Sequence, residues 1–200
     1  MVEMGRVEFT KTAGCVLDQP DDMTTAVFFG DAELSFPQHI LRYNGKRSAI
    51  VSRGERGRLR EVSFDELHQE VAAIAAGLNA AGVNKGDRVA AFMPNCPEAI
   101  IAMLATTSVG AIWSSCSPDF GINGVVDRFG QIEPKILFTA DGYLYNGKYH
   151  DSLEPVKGVL KRIRSIEKTI VVPYNDCTVK STGLRGGIMW DEFGIHDTEF

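Results

Sequence analysis

The chain contains no apolar run that approaches the ~20 residues a membrane span requires, so the sequence points away from a membrane protein. Cysteine is sparse. Cys15, Cys96, Cys116 and Cys177 are the only four, and no two have the C-x-x-C spacing of a zinc or dithiol site. No apolar leader opens the sequence: residues 1–10 carry Glu3, Arg6 and Glu8. The reading is a cytoplasmic protein with reduced thiols. A basic excess is also missing. Lys and Arg total 21 against 26 Asp and Glu, for a net charge of −5, which repels nucleic acid and anionic membranes alike.

Familiar chemical signatures are absent as well. There is no G-x-G-x-x-G and no H-E-x-x-H. His39, His68, His150 and His196 are scattered, and no metal site is expected. STGLRGG at 181–187 has the glycines of a phosphate loop, but Arg185 stands where a lysine belongs. No strand precedes it and no helix follows, so it reads as a flexible loop. Lys157, Lys161, Arg162, Arg164 and Lys168 are read as the solvated face of one helix. Asp65 and Glu66 are helix-start charges rather than a catalytic pair.

What the sequence does have is a soluble globular composition, 44% hydrophobic and 24% charged over 200 residues. Residues 1–33 show little periodicity and read as loop. A short helix is expected at 35–43. Strands at 48–53 and 59–62, joined by a turn at 54–57, form a hairpin. SFDE at 63–66 is a capping box, and Phe64, Leu67, Val71, Ile74 and Leu78 recur at helical spacing until Gly82.

From there strands and helices alternate. Strands are expected at 88–93, 111–115, 135–140 and 169–172. A helix starts at Pro97. Val125, Val126, Phe129 and Ile132 mark a second, and Leu153, Val156, Leu160, Ile163 and Ile166 a third. Asp141-Gly142 is read as the turn that closes its strand. Residues 174–200 lose the alternation, with one apolar turn at 190–193.

This order specifies an α/β fold, a parallel sheet with helices packed on it. In such sheets ligands bind beyond the carboxyl ends of the strands. Residues 114–119 (SSCSPD) and 141–148 sit at two such ends. They are either a ligand-facing rim or ordinary surface turns.

Several segments resemble the adenylate-forming acyl-CoA synthetases. The residues that carry the likeness are VSFDELHQEVAAIAAGLNAAGVNKGDRVAAFMPNCPEAIIAMLATTSVGAIWSS at 62–115 and SPDFGINGVVDRFGQIEPKILFTADGYLYNGK at 117–148. Within that superfamily the chain is most similar to the acetoacetyl-CoA synthetases, notably at AELSFPQHILRYN (32–44) and in WDEF after the 169–172 strand. The likeness runs from about residue 26 to residue 193. It implies that 34–200 is an incomplete N-terminal part of the large AMP-binding domain, and that 1–33 is a poorly matched lead-in.

The resemblance implies a ligase that joins acetoacetate to coenzyme A through an acyl-adenylate, with ATP, coenzyme A and Mg²⁺ required by the parent enzyme. Its partners would be these small molecules and the remainder of the synthetase. The family's Pro-Lys phosphate loop is expected after WDEF, and the chain ends first. No catalytic residue is therefore carried over, and the stretch alone is expected to be inactive. For coenzyme A the resemblance implies Ser117, Pro118 and Asp119 beside the pantetheine arm, and Tyr145 and Lys148 at the nucleotide end. Two alternatives stand beside it: a non-catalytic binding module that retains half the fold, and a ligase for another short-chain carboxylate.

Overall fold

The computed structural model describes residues 7–55, 57, 59–174 and 183–195. The expected loop at Asn175, Asp176, Ser181 and Thr182, together with Cys177 and His196, lies outside them. The chain forms two compact units, Met1–Tyr43 and Asn44–Phe200.

In the first unit, β1 (Leu17–Asp18) pairs antiparallel with β2 (Val27–Phe28), and Lys11 bridges to Glu33. This corrects the loop reading of 1–33: pairing by backbone alone leaves no side-chain period to detect. Helix α1 (Phe36–Ile40) follows, capped by Ser35.

The second unit opens with the expected hairpin, β3 (Ser48–Arg53) against β4 (Leu59–Ser63). Helix α2 (Phe64–Ala80) begins at the capping box, where the Ser63 hydroxyl accepts from the Glu66 amide and the Glu66 carboxylate accepts from the Ser63 amide. It ends in a Schellman motif. Gly82, at φ +75°, donates to Asn79, and Val83 donates to Leu78.

Five parallel strands form the main sheet: β5 (Arg88–Phe92), β6 (Ile112–Cys116), β7 (Ile136–Ala140), β10 (Lys168–Val172) and β11 (Gly187–Met189). Their spatial order is β11-β10-β7-β5-β6. The chain leaves β5 for one neighbour and returns to the other, which makes the end of β5 a topological switch point. Alternate side chains face opposite layers. Ala90, Phe92, Leu137 and Val171 meet α4 (Ile122–Ile132) and α5 (Leu153–Arg162) through Val125, Phe129, Val156 and Leu160. On the other face the Phe138 ring meets Trp113 and the short helix α6 (Trp190–Phe193). Helix α3 (Pro97–Ser108) packs against α2. Truncating a buried phenylalanine such as Phe92, Phe129 or Phe138 to alanine would cost about 3–5 kcal/mol.

Three sequence expectations are corrected. Asp141-Gly142 is no turn: Asp141 is fully buried, and Gly142 opens β8 (Gly142–Tyr145), which folds back on β9 (Lys148–Asp151). The turn is Asn146-Gly147, with φ +50° and +71°, the geometry an Asn-Gly pair favours. The third helix stops at Arg162. Ile163 and Ile166 are buried core residues beyond it, so apolar spacing continued after the helix had ended. Consequently Arg164 and Lys168 do not share a helix with Lys157, Lys161 and Arg162. Finally, β11 was not expected, because three residues are too few to show a period. Arg185 is structural here. Its guanidinium donates to the carbonyls of Ile166 (3.0 Å) and Ile163 (2.7 Å), which fastens the β11 lead-in to the chain after α5.

Candidate ligand-binding site

The carboxyl ends of β6 and β7 flank that of β5. The turn after β6 and the β8–β9 hairpin after β7 enclose a cavity of about 450 Å³. From the turn come Pro118, Asp119, Phe120 and Gly121; from the hairpin side come Tyr143, Tyr149, His150 and Ser152. The volume lies within the usual range of small-molecule sites.

Local chemistry fixes these walls. The Ser117 carbonyl accepts from the Phe120 amide at 3.2 Å and closes the Ser-Pro-Asp turn. Arg128 lies 4.2 Å over the Phe120 ring. Tyr143 and His150 face each other across the hairpin and stack at 5.0 Å with 16° between their planes. Gly142 is required where it stands, because a Cβ there would run into the His150 carbonyl and the Tyr149 side chain.

The walls also carry polarity. Gly121 precedes α4 in extended backbone, and no side chain caps the helix, so its first amides and positive dipole end border the cavity. Asp151 takes over the capping of α5, accepting from the Leu153 (3.0 Å) and Glu154 (3.2 Å) amides. Ser152, at the natural cap position, is thereby released. Its hydroxyl is buried, with the residue 1% exposed, and has no hydrogen-bond partner among the described residues. The Tyr143 phenol is held above its usual range by burial first, then by the charges of Asp119 and Tyr145.

Beyond the cavity, the end of β7 is pinned to the chain after β10 and to the end of β5. Asp141 accepts from the Tyr174 amide at 2.9 Å, and the Thr139 hydroxyl donates to the Phe92 carbonyl at 2.9 Å. A second, smaller hollow of about 230 Å³ includes Arg60, Glu98, Val172 and Trp190. There Arg60 forms an ion pair with Glu98, which is 8% exposed.

Of the five residues singled out by resemblance, Pro118 and Asp119 line the cavity. Ser117 begins the same turn, exposed. Tyr145 and Lys148 are cross-strand partners at the exposed hairpin tip and do not line it. Sequence reasoning did not single out Tyr143, Tyr149, His150 or Ser152 as site residues. The Asn-Gly pair was the available signal, since a hairpin there folds residues 142–145 against 148–151. Among the described residues no group of three His, Cys, Asp or Glu side chains could hold a metal ion, and no helix is long and apolar enough to cross a membrane.

The family model described as AMP-binding enzyme matches residues 36–185. The acetoacetyl-coenzyme A synthetase of Rhizobium meliloti (strain 1021) is 47% identical over 174 residues, covering 86% of this chain and 26% of that protein. The acetoacetyl-CoA synthetase of Macaca fascicularis is 41% identical over 169 residues, 84% of this chain and 24% of its own length. The solved acetoacetyl-CoA synthetase from Streptomyces lividans superposes with a TM-score of 0.89 at 37% identity, covering 99% of this chain and 30% of that one. The chain thus spans about a quarter of the length of the curated relatives it matches. By the family match and these likenesses, the chain belongs to the AMP-binding enzyme family.

Proposed function

We propose that this chain is part of an ATP-dependent ligase that converts acetoacetate, ATP and coenzyme A to acetoacetyl-CoA, AMP and pyrophosphate. The observation that carries the reading is the superposition, at 37% identity over 99% of the chain, on a protein titled acetoacetyl-CoA synthetase. In the first step a carboxylate oxygen attacks the α-phosphorus of ATP and pyrophosphate leaves. In the second the coenzyme A thiol adds to the acyl carbon, its proton is lost, and AMP departs. Catalysis of this kind rests on positioning and on charge stabilisation around the phosphates.

The residues described here take the coenzyme side of that work. Ser117, Pro118 and Asp119 would flank the pantetheine arm, and Tyr145 and Lys148 the nucleotide end. The cavity fits such a ligand on three counts. It has a helix N-terminus for negative charge, a buried unpaired hydroxyl at Ser152, and aromatic walls. No step is assigned to Mg²⁺, which the parent enzyme would use, and no catalytic residue is assigned within the chain.

The choice of carboxylate has one rival with support of its own. The malonamoyl-CoA synthetase of Penicillium aethiopicum is 34% identical over 151 residues, 72% of this chain and 21% of that protein. The test is product analysis by mass spectrometry. The protein in its full natural length is given ATP, coenzyme A and an equimolar mixture of acetoacetate, malonamate, acetate and butyrate. Acetoacetyl-CoA as the main thioester supports the reading; another main thioester overturns the substrate, and no thioester overturns the activity.

A further inference from the structure

The β8–β9 hairpin is held at its root and at its tip by different parts of the chain. At the root, the Asp141 carboxylate accepts from the Tyr174 amide at 2.9 Å, and the Asp141 carbonyl accepts from the Ser152 amide at 3.2 Å. Beyond the root lies a ribbon of four residues a side. Two strands on their own are only marginally stable in water, so a root contact alone does not keep the far end still. Tyr145 and Lys148 pair at that far end and are exposed.

Glu55 supplies the second hold. Asn146 and Gly147 both have positive φ, which makes their successive N–H groups converge. Oε1 of Glu55 accepts from Asn146 at 2.8 Å and Oε2 from Gly147 at 3.0 Å. These amides, Gly147 first, keep the Glu55 carboxyl below its usual range. Bonds to a carboxylate are stronger than neutral ones. Glu55 is itself anchored. It sits in a turn closed by the Gly57 amide on the Gly54 carbonyl at 2.9 Å. A Cβ built on Gly54 would stand 3.9 Å from the Tyr174 hydroxyl, so Tyr174 holds the hairpin root by its amide and lies beside the Glu55 turn by its phenol. Further along β4, Arg60 forms the ion pair with Glu98 of α3.

We propose that Glu55 is a positioning residue for coenzyme A: it fixes the Asn146–Gly147 turn, so that Lys148, the next residue, is presented in one orientation. Coenzyme affinity is thereby coupled to the β3–β4 hairpin. Glu55 touches no substrate, and this role rests on the assignment of Lys148 to coenzyme A proposed above.

Charge and position predict opposite signs. A carboxylate near the coenzyme repels its phosphates, so if charge were its whole effect, removing Glu55 would tighten binding. If Glu55 positions Lys148, removing it divides the apparent affinity by the fraction of time the turn keeps its working shape. A positioning effect also has a ceiling, because it cannot exceed the loss caused by removing Lys148 itself.

The experiment is steady-state kinetics on the protein at its full natural length, with coenzyme A varied. Four forms are compared: the unsubstituted protein, Glu55→Gln, Lys148→Ala and the double variant. Glu55→Gln should raise the KM for coenzyme A several-fold, by no more than Lys148→Ala does, and leave the KM for ATP unchanged. In the Lys148→Ala background the same substitution should have little further effect, since residues that act through one another are not additive. Hydrogen exchange at the Asn146 and Gly147 amides should quicken in Glu55→Gln while the Tyr174 amide at the root stays protected.

A lowered or unchanged coenzyme A KM in Glu55→Gln overturns the proposal, as does a full Glu55 effect in the absence of Lys148. Unchanged exchange at the two tip amides overturns it as well. If Lys148→Ala raises the KM and Glu55→Gln does not, the positioning role fails alone and the coenzyme assignment stands. If Lys148→Ala has no effect, the coenzyme assignment fails and the positioning role falls with it.

Discussion

Gly77 of α2 lies directly beneath Phe193 of α6. A Cβ built on Gly77 would collide with the Phe193 carbonyl oxygen and press on its ring. The Ile195 amide, two residues on, donates to the Ala73 carbonyl one helical turn earlier on α2 at 3.1 Å. The residues WDEF are therefore seated on the long helix by a glycine that leaves room for a backbone.

Gly77→Ala tests that seating through the sign of its effect. In an open helix, alanine in place of glycine stabilises by roughly 1 kcal/mol. Here the substituted chain must push α6 away, an overpacking penalty of about 1–3 kcal/mol. Denaturant unfolding should show net destabilisation. A gain in stability would show that α6 does not rest on Gly77.

Ser63→Ala removes the hydroxyl that accepts from the Glu66 amide at 3.2 Å. Loss of such a cap is expected to cost about 0.5–2 kcal/mol. Hydrogen exchange should quicken in the first turn of α2 while its last turn, held by the Schellman motif, is unaffected. Uniform quickening along the helix would place its stability elsewhere.

Cys96 makes a prediction about pH and reactivity. Burial, followed by the negative charge of Glu98, pushes its thiol from 9.0 up to about 12. The folded state thus holds the proton more tightly than the unfolded state. The stability this gives is complete below 9 and is lost as pH rises from 9 toward 12. At neutral pH an alkylating reagent should modify exposed Cys15 well before buried Cys96 or Cys116. Mass spectrometry of the labelled peptides would give the order. Labelling of Cys96 as fast as Cys15 would contradict the packing around α3.

Lys148→Ala, made in the protein at its full natural length, should raise the KM for coenzyme A several-fold. The KM for ATP should change little, since the lost cation would serve only the coenzyme's phosphates. An unchanged coenzyme A KM would remove Lys148 from the site.

The fold was legible wherever side chains report burial. The capping box at Ser63, the Gly82 stop, and the β5, β7 and β10 strands all announce themselves by spacing or by turn chemistry. What escaped was structure carried by backbone. The β1–β2 pair is two residues a side, and β11 is three. The hairpin was hidden because Asp141 resembles a turn residue by type, yet the structure buries it and spends its carboxylate on Tyr174. The candidate site was half visible for the same reason. Pro118 and Asp119 stand next to a strand end that the alternation marks. Tyr143, His150 and Ser152 join them only once the Asn146-Gly147 turn folds the chain back. Nothing local in the sequence shows Glu55 reaching a turn 91 residues away.

The most direct test of the central claim is pyrophosphate exchange into ATP, measured on the protein at its full natural length with each candidate acid and no coenzyme A. If the chain belongs to a ligase that adenylates acetoacetate, acetoacetate should drive exchange faster than acetate, butyrate or malonamate. Exchange with a different acid and not with acetoacetate would contradict the substrate, and absence of exchange with every acid would contradict the adenylate itself.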